Sequence, residues 1–471
     1  MLVLTYTGIF AAILFGIYND MLEFPLATGG ELLVIMYVIA IAGTVTMMDG
    51  FKIGYLSRAN IILSQIIACL IVDFVFYLII SLSNRAFASV WPMLLHLLIS
   101  IAVAIFWTYL SSSVMRIVSP PKKMVLVYSE PRFSGSTFAA GRDEASHRKI
   151  ENFIKKMVAE DRRFVICRAI RYEEEAFLKK SSADDLSAQL EEGIKKGELE
   201  CVLIYLVPSQ ARNDIMKICY EKCIDVYIYP RISDIFIRSA VNLHQLDVPL
   251  IVCHNGKLKT SSRIIKRAFD IVASLLALII LSPIMALTAL AIKIENPKQK
   301  VIFEQDRITE DERVFKIKKF RSMDESKKEA NDEESVRPAV NDDARITRVG
   351  AIIRRLRIDE LPQLINILKG DMSIVGPRPE KKAHHEAYCA ECPEFRYRTK
   401  MKAGLTGYAQ IMGKYNTTPY DKLLLDLMYI TNYSFFMDIK IILQTVKIIF
   451  MKESTEAFEN VAGPEKKEGE S

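Results

Sequence analysis

The chain has no dense cysteine framework. Its eight cysteines, Cys69, Cys167, Cys201, Cys219, Cys223, Cys253, Cys389 and Cys392, are scattered over 471 residues, whereas disulfide-stapled secreted domains crowd theirs into short chains. This pattern excludes a disulfide scaffold and fits reduced thiols facing a cytoplasm. Strong charge of either sign is missing too. A net charge of +6 and a pI near 8.7 suit a surface lying on anionic lipid or gripping phosphates, and are too weak to argue for nucleic acid. The first apolar stretch lacks a basic leader and a small-x-small cleavage site, which excludes a signal peptide. No internal repeat is visible.

Apolar residues are abundant instead. They make up 51% of the chain beside 25% charged residues, and the mean hydropathy is +0.17. The two classes must therefore be segregated, as in a membrane protein with a large water-facing part. Four apolar runs, Leu2–Tyr18, Leu32–Met48, Ile61–Leu82 and Val90–Leu110, each approach the ~20 residues that cross a bilayer. Asp73, inside the third, is read as facing a neighbouring helix, the alternative being a functional group. The first loop holds Asp20, Glu23 and Glu31 without Lys or Arg, the second holds Lys52 and Arg58, and Arg116, Lys122 and Lys123 follow the fourth run. The positive-inside rule then puts the N-terminus, the second loop and everything after Arg116 on the cytoplasmic side.

Residues 122–250 alternate strand-like runs (Met124–Tyr128, Phe164–Ile170, Cys201–Val207, Val226–Tyr229) with helix-like ones near 148–158, 183–196 and 209–222. That alternation predicts a Rossmann-like parallel sheet with helical crossovers. The first turn, Ser129-Glu130-Pro131-Arg132, lacks the glycines of a G-x-G-x-x-G site, so NAD binding is not expected. Next, Asp270–Ile294 is long and apolar but interrupted by Ser282-Pro283 and flanked by Arg263, Lys266, Arg267 on one side and Lys293, Lys298, Lys300 on the other. Proline removes a backbone donor, and cations at both ends argue that both stay cytoplasmic. The expectation is a re-entrant helix over 266–295, the alternative an ordinary kinked span. Glu325–Asp343 reads as a mobile loop. Phe435–Phe450 puts Phe435, Ile439, Ile442, Val446, Ile449 and Phe450 at helical spacing, as in an amphipathic helix lying on a membrane surface. The tail after Lys452 reads as disordered. The expected domains are a four-helix transmembrane region 1–115, an α/β domain 116–255, a mostly α catalytic domain 256–452 and a tail 453–471.

Two patterns carry chemistry. The stretch Arg354–Gln363 is expected to open a helix with Pro362 in its first turn, ended by a left-handed Gly370, and with Leu361, Leu364, Ile365 and Leu368 on one face. Asp359 and Glu360 would sit at its N-terminus, where backbone amides favour negative charge; such acids are usually caps. Lys319-Phe320-Arg321-Ser322-Met323 and Gly376-Pro377-Arg378-Pro379 add cations that can grip phosphate. A carboxylate can attack phosphorus and split a hard transfer into two steps, and a second one can hold the magnesium that accompanies diphosphates. Separately, Cys389-x-x-Cys392 with His384 and His385 upstream could hold zinc, against a chance pair in a helical stretch.

From Lys266 to about Phe450 the chain resembles the bacterial sugar transferase family, the monotopic phosphoglycosyl transferases. The resemblance rests on Lys266-Arg267-Ala268-Phe269-Asp270, Ser282-Pro283, Phe303-Glu304-Gln305-Asp306-Arg307, Lys319–Met323, Thr347-Arg348-Val349-Gly350, Leu361–Asn366, Lys369–Ser373, Gly376–Pro379, Gly404–Gln410 and Leu425-Asp426. It implies transfer of a sugar 1-phosphate from a UDP-sugar to undecaprenyl (polyprenyl) phosphate, with release of UMP. By the resemblance, Asp359 is the nucleophile and Glu360 its orienting partner and Mg²⁺ ligand. Arg354 and Arg378 fall on phosphate-binding positions, with Lys319, Arg321, Pro377 and Pro379 as further substrate contacts. The four helices and α/β unit upstream resemble the long form, which starts exopolysaccharide, capsule or O-antigen assembly and is often a homodimer. Other readings are a non-catalytic membrane scaffold, which the retained acidic pair and both arginines oppose, and an oxidoreductase or epimerase, which the missing glycine turn opposes. No residue names the sugar.

Overall fold

The computed structural model describes residues 1–19, 29–84, 87–129, 163–172, 188, 190, 192–193, 197, 199–245, 248–253, 255–324, 345–413 and 418–449. The sequence expectations for the helix near 148–158, the loop 325–343, the tail and most of 183–196 lie outside these residues. The chain divides into two compact units, Met1–Tyr229 and Pro230–Ser471.

The first unit opens with helices α1 (Leu2–Ile13, extended by a π-helical turn to Tyr18), α2 (Gly30–Met47), α3 (Arg58–Ser83) and α4 (Trp91–Val118). Each packs on the next and α4 returns to α1, closing a bundle. By length and composition α2, α3 and α4 can each cross a membrane, and Leu2–Tyr18 is a shorter apolar helix. Their apolar side chains point both inward and outward, as lipid-facing helices require. The bundle centre is polar. Asp73 of α3 accepts from the Tyr37 hydroxyl of α2 at 3.1 Å and meets His96 Nδ1 of α4 at 2.8 Å, and Phe10 stacks on Tyr37 with ring centroids 4.0 Å apart. Asp73 thus faces its neighbouring helices, the arrangement that spares a carboxylate from lipid.

After the bundle come β1 (Lys122–Tyr128), β2 (Phe164–Arg171), β3 (Cys201–Tyr205), helix α5 (Ser209–Glu221) and β4 (Asp225–Ile228). The strands form one parallel sheet in the order β2-β1-β3-β4. Alternation along β1 and β3 sends Val125, Val127, Val202 and Ile204 to the face covered by α5, and Met124, Leu126, Cys201 and Leu203 to the other. Near-continuous apolar runs such as these belong to strands buried on both faces.

The second unit begins with α6 (Ile232–Arg238) and a hairpin of β5 (Val241–Gln245) and β6 (Val248–Val252). Its longest element is α7, Thr260–Glu295, 36 residues with Pro283 inside. The helix runs continuously through the expected interruption. Pro283 cannot donate to the carbonyl of Ile279, four residues back, and the Ser282 hydroxyl donates to that carbonyl instead, at 2.8 Å. Both halves of α7 lie on the same protein body. Ala277, Leu278 and Leu281 pack with Phe315, Leu364 and Ile367, while Met285, Ala289 and Ile292 pack with Phe320 and Ile353. The opposite face exposes Ile271, Val272, Leu275, Leu276, Ile279, Ile280, Leu287, Leu290 and Ile294 along its whole length.

The head of α7 is bolted to this body by the motif 266–270. Lys266 Nζ donates to Asp438 at 2.6 Å and to the Tyr429 hydroxyl at 3.2 Å. Arg267 donates to the Ile367 and Leu368 carbonyls at 2.6 and 2.7 Å, and Asp270 accepts from Ser373 and from the Ile374 amide. The rest of the unit comprises the antiparallel hairpin β7 (Ile302–Ile308) and β8 (Val314–Phe320), helices α8 (Arg348–Arg355) and α9 (Gln363–Lys369), β9 (Ser373–Val375), α10 (Lys382–Glu391), β10 (Gly404–Thr406, parallel to β9), α11 (Tyr408–Met412), α12 (Pro419–Thr431) and α13 (Phe435–Ile449). Helix α13 turns a mostly polar stripe inward, Asp438, Ile441, Gln444 and Lys447, and leaves Phe436 and Ile449 exposed. These polar residues of the helix thus face the protein rather than the outside.

Candidate active site

The sequence pattern puts Asp359 and Glu360 at the start of a helix, and the structure corrects this. Helix α8 ends at Arg355, Arg357 adopts a left-handed backbone (φ +58°), and the acidic pair forms a separate 3₁₀ turn, Ile358–Glu360. Helix α9 starts only at Gln363, with Pro362 as its N-cap. The left-handed residue is what breaks the helical path, and nothing in the residue type of an arginine announces it. Gly370 does take the expected left-handed position, at φ +91°.

Three segments converge on the turn. Strand β8 supplies Lys319, whose Nζ donates to Glu360 Oε1 at 2.9 Å. The 376–379 loop supplies Arg378, 3.3 Å from the same oxygen, and Arg357 stands 4.0 Å from it. Helix α8 supplies Arg354, close enough to act on the charge of Asp359. The spacing between β8 and α9 is fixed by Asn366, which accepts from the Lys318 amide at 3.0 Å and donates to the Lys316 carbonyl at 2.8 Å. The arginine loop is fixed by glycine contacts. A Cβ on Gly376 would lie 2.3 Å from the Lys402 carbonyl oxygen, and one on Gly404 would lie 2.1 Å from the Gly376 nitrogen.

The two carboxyls are pushed in opposite directions. For Asp359, burial first and then the Glu360 charge raise the carboxyl to about 6, against the pull of Lys319, Arg354 and Arg357. Its Oδ1 is buried and accepts no hydrogen bond among the described residues. For Glu360, burial opposes ionisation, but Lys319, Arg378 and Arg357 outweigh it and hold the carboxyl well below the usual range. The side-chain hydrogen bonds and ion pairs of Glu360 among the described residues all fall on Oε1. Divergent pairs of this kind cluster at functional sites and also occur in structural ion-pair networks. Asp359 keeps an unshared oxygen, while Glu360 organises cations.

Lys319, Arg378 and Pro379 line one small cleft together with Arg307, Ile317 and Gln363. Pro377 and Arg378 line a second, beside Glu380 and Arg398. Arg321 donates its Nε to the Lys300 carbonyl at 2.8 Å, at the far end of the hairpin. Three contributors have no role assigned by the sequence patterns. Arg307 donates to the Pro379 carbonyl at 3.1 Å; Arg398 donates to the Arg378 carbonyl at 3.1 Å and to Asp426 at 2.6 Å; Gln363 is buried with Nε2 lacking a partner among the described residues. Arg307, Gln363 and Asp426 lie within recognisable motifs, which was the available signal; Arg398 lies in none. Of the zinc candidates, Cys389 meets His385 on α10, whereas Cys392 turns to Glu394.

The profile of the family described as bacterial sugar transferase matches residues 261–452. A UDP-N-acetylgalactosamine-undecaprenyl-phosphate N-acetylgalactosaminephosphotransferase of Aeromonas hydrophila is 41% identical over 39% of this chain and 43% of its own length. A UDP-glucose:undecaprenyl-phosphate glucose-1-phosphate transferase of Escherichia coli K12 is 36% identical over 55% of this chain and 56% of its own. An exopolysaccharide production protein of Rhizobium leguminosarum is 41% identical over 39% of this chain and 94% of its own. The chain thus spans about half the length of the first two relatives and nearly all of the third.

Proposed function

This chain belongs to the bacterial sugar transferase family, and from that premise we propose that it moves a sugar 1-phosphate from a UDP-sugar to undecaprenyl phosphate at a membrane surface. The observation that carries the reading is the buried, unshared Oδ1 of Asp359 beside a cation cluster organised by Glu360. In the first step an Asp359 oxygen bonds to the β-phosphorus, and the bond from that phosphorus to the bridging oxygen breaks. UMP leaves with the electron pair, and a phosphosugar remains on the carboxylate. In the second step an oxygen of the lipid phosphate attacks the same phosphorus and the aspartyl bond breaks. The product is a lipid-linked sugar diphosphate, and the carboxylate is regenerated. Lys319, Arg378, Arg357 and Arg354 neutralise the diphosphate, which is mainly positioning and charge stabilisation.

The donor set suits Mg²⁺. Glu360 Oε2 is a hard oxygen without a hydrogen-bond partner among the described residues, as magnesium prefers. When bound, the ion would neutralise the diphosphate. Helix α7 serves the lipid side of this reading. Its exposed apolar face supports a helix embedded in the membrane, and the cations flanking both of its ends support a cytoplasmic site.

The test is UMP release from a panel of UDP-sugars by purified protein with Mg²⁺ and a short polyprenyl phosphate. Release from one donor, absent in Asp359→Asn, is expected. Wild-type protein that releases no UMP from any donor, and binds neither donor nor lipid, would return the scaffold reading.

A further inference from the structure

A cluster outside the acidic pair has the composition of a metal site. Helix α10 presents His385 and Cys389 one turn apart. His385 is buried, and its Nε2 lies 3.6 Å from Cys389 Sγ and 3.6 Å from Glu312 Oε1. The three ligand atoms all lie within 4.8 Å of one another. A nitrogen 3.6 Å from a carboxylate oxygen is too far for a good hydrogen bond. It is close to the spacing of two ligands on one tetrahedral ion: zinc bonds of about 2.0–2.3 Å put neighbouring ligand atoms about 3.3–3.8 Å apart. The carboxylate arrives by an unusual route. Asp311 and Glu312 are consecutive non-glycine residues with left-handed backbones, φ +53° and +59°, a conformation that costs energy and persists where the surroundings require it.

We propose that Glu312, His385 and Cys389 bind a divalent ion of the zinc class, stapling the turn between β7 and β8 to helix α10. Thiolate, imidazole and carboxylate together select a borderline-soft ion over magnesium, and solvent completes the fourth position. Zinc takes the thiolate, so binding breaks the Cys389 S–H bond, forms the sulfur–metal bond and sends one proton to the buffer.

The full-length protein in detergent micelles, stripped by a chelator, is titrated with Zn²⁺ alone and separately with Co²⁺. Expected are one Zn²⁺ per chain, a thiolate-to-cobalt charge-transfer absorption, and affinity at least about tenfold weaker in Cys389→Ser and His385→Gln. Cys392→Ser should bind as wild type. The exposed Glu312→Gln, which leaves His385 and Cys389 in place, should weaken binding while circular dichroism stays unchanged. A wild-type cobalt complex without the thiolate band overturns the proposal even if other residues hold the ion. So does equal Zn²⁺ binding in Cys389→Ser, or in a folded Glu312→Gln.

Discussion

At the scale of single residues, the acidic pair divides labour through its surroundings. Asp359 loses water and faces a like charge, so ionising it costs the fold. With its carboxyl near 6 against an ordinary 3.8, the native state holds the proton more tightly than the unfolded chain. Its contribution to stability is therefore largest below about 3.8, declines as pH rises to about 6, and stays lost above that. Two outcomes follow. UMP release should fall as pH drops through about 6, read from initial rates across the acid limb. Asp359→Asn should lower release by at least ~10³-fold while raising the melting temperature, because it removes a charge whose burden is on the order of 1–3 kcal/mol. A variant that melts earlier would remove the strained-nucleophile account. Glu360→Gln should weaken the response to Mg²⁺ by about 10–100-fold, read from a magnesium titration. The residue types at 359 and 360 were legible in the sequence. The turn they occupy was not, because a left-handed arginine at 357 is decided by tertiary contacts rather than local propensity.

At the scale of elements, Ser282 and Pro283 act as a pair. The proline orphans a carbonyl in an apolar helix and the serine hydroxyl meets it. In lipid an unmet carbonyl is expensive, although measured hydrogen bonds between groups in membranes are worth only about 0.6–2 kcal/mol. Ser282→Ala should therefore destabilise α7 by about 1 kcal/mol, and Ser282→Ala with Pro283→Ala should recover it by restoring the amide donor, as read in a double-mutant cycle of detergent-resistant unfolding. Failure of the double variant to recover would place the role of the serine elsewhere. Periodicity announced α13 as amphipathic, and its inward polar stripe explains why. Lys266 on α7 needs Asp438 as its partner, so the helix spends its polar face on the protein. The glycines at 376 and 404 were visible as motif letters, but only backbone proximity explains them. Gly404→Ala would force backbone apart and is expected to cost at least about 2 kcal/mol, read by thermal unfolding.

At the scale of the whole molecule, the second unit carries the acidic pair, the cation cluster and α7 without residues from the first. A relative almost wholly covered by the matched segment exists in Rhizobium leguminosarum. A chain starting at Pro230 should therefore keep UMP release within about tenfold of the full protein in detergent; complete loss would assign the first unit a part in catalysis. Segregation of apolar runs from charged stretches made both the bundle and the parallel sheet legible, since each rests on patterns within single elements. The convergence of β8, α8, the 358–360 turn and the 376–379 loop was not legible, because it depends on contacts between segments tens of residues apart.

The bolting of α7 has a mechanical consequence. With Lys266, Arg267 and Asp270 fastened at one end and Met285, Ala289 and Ile292 packed at the other, the helix cannot tilt independently of the body that holds Asp359. Under the proposed function it would work as a depth gauge: wherever the lipid sets the helix, Asp359 is carried to a matching altitude. Bilayer thickness then becomes a variable of the reaction, able to retune the rate without any change in the residues that perform it.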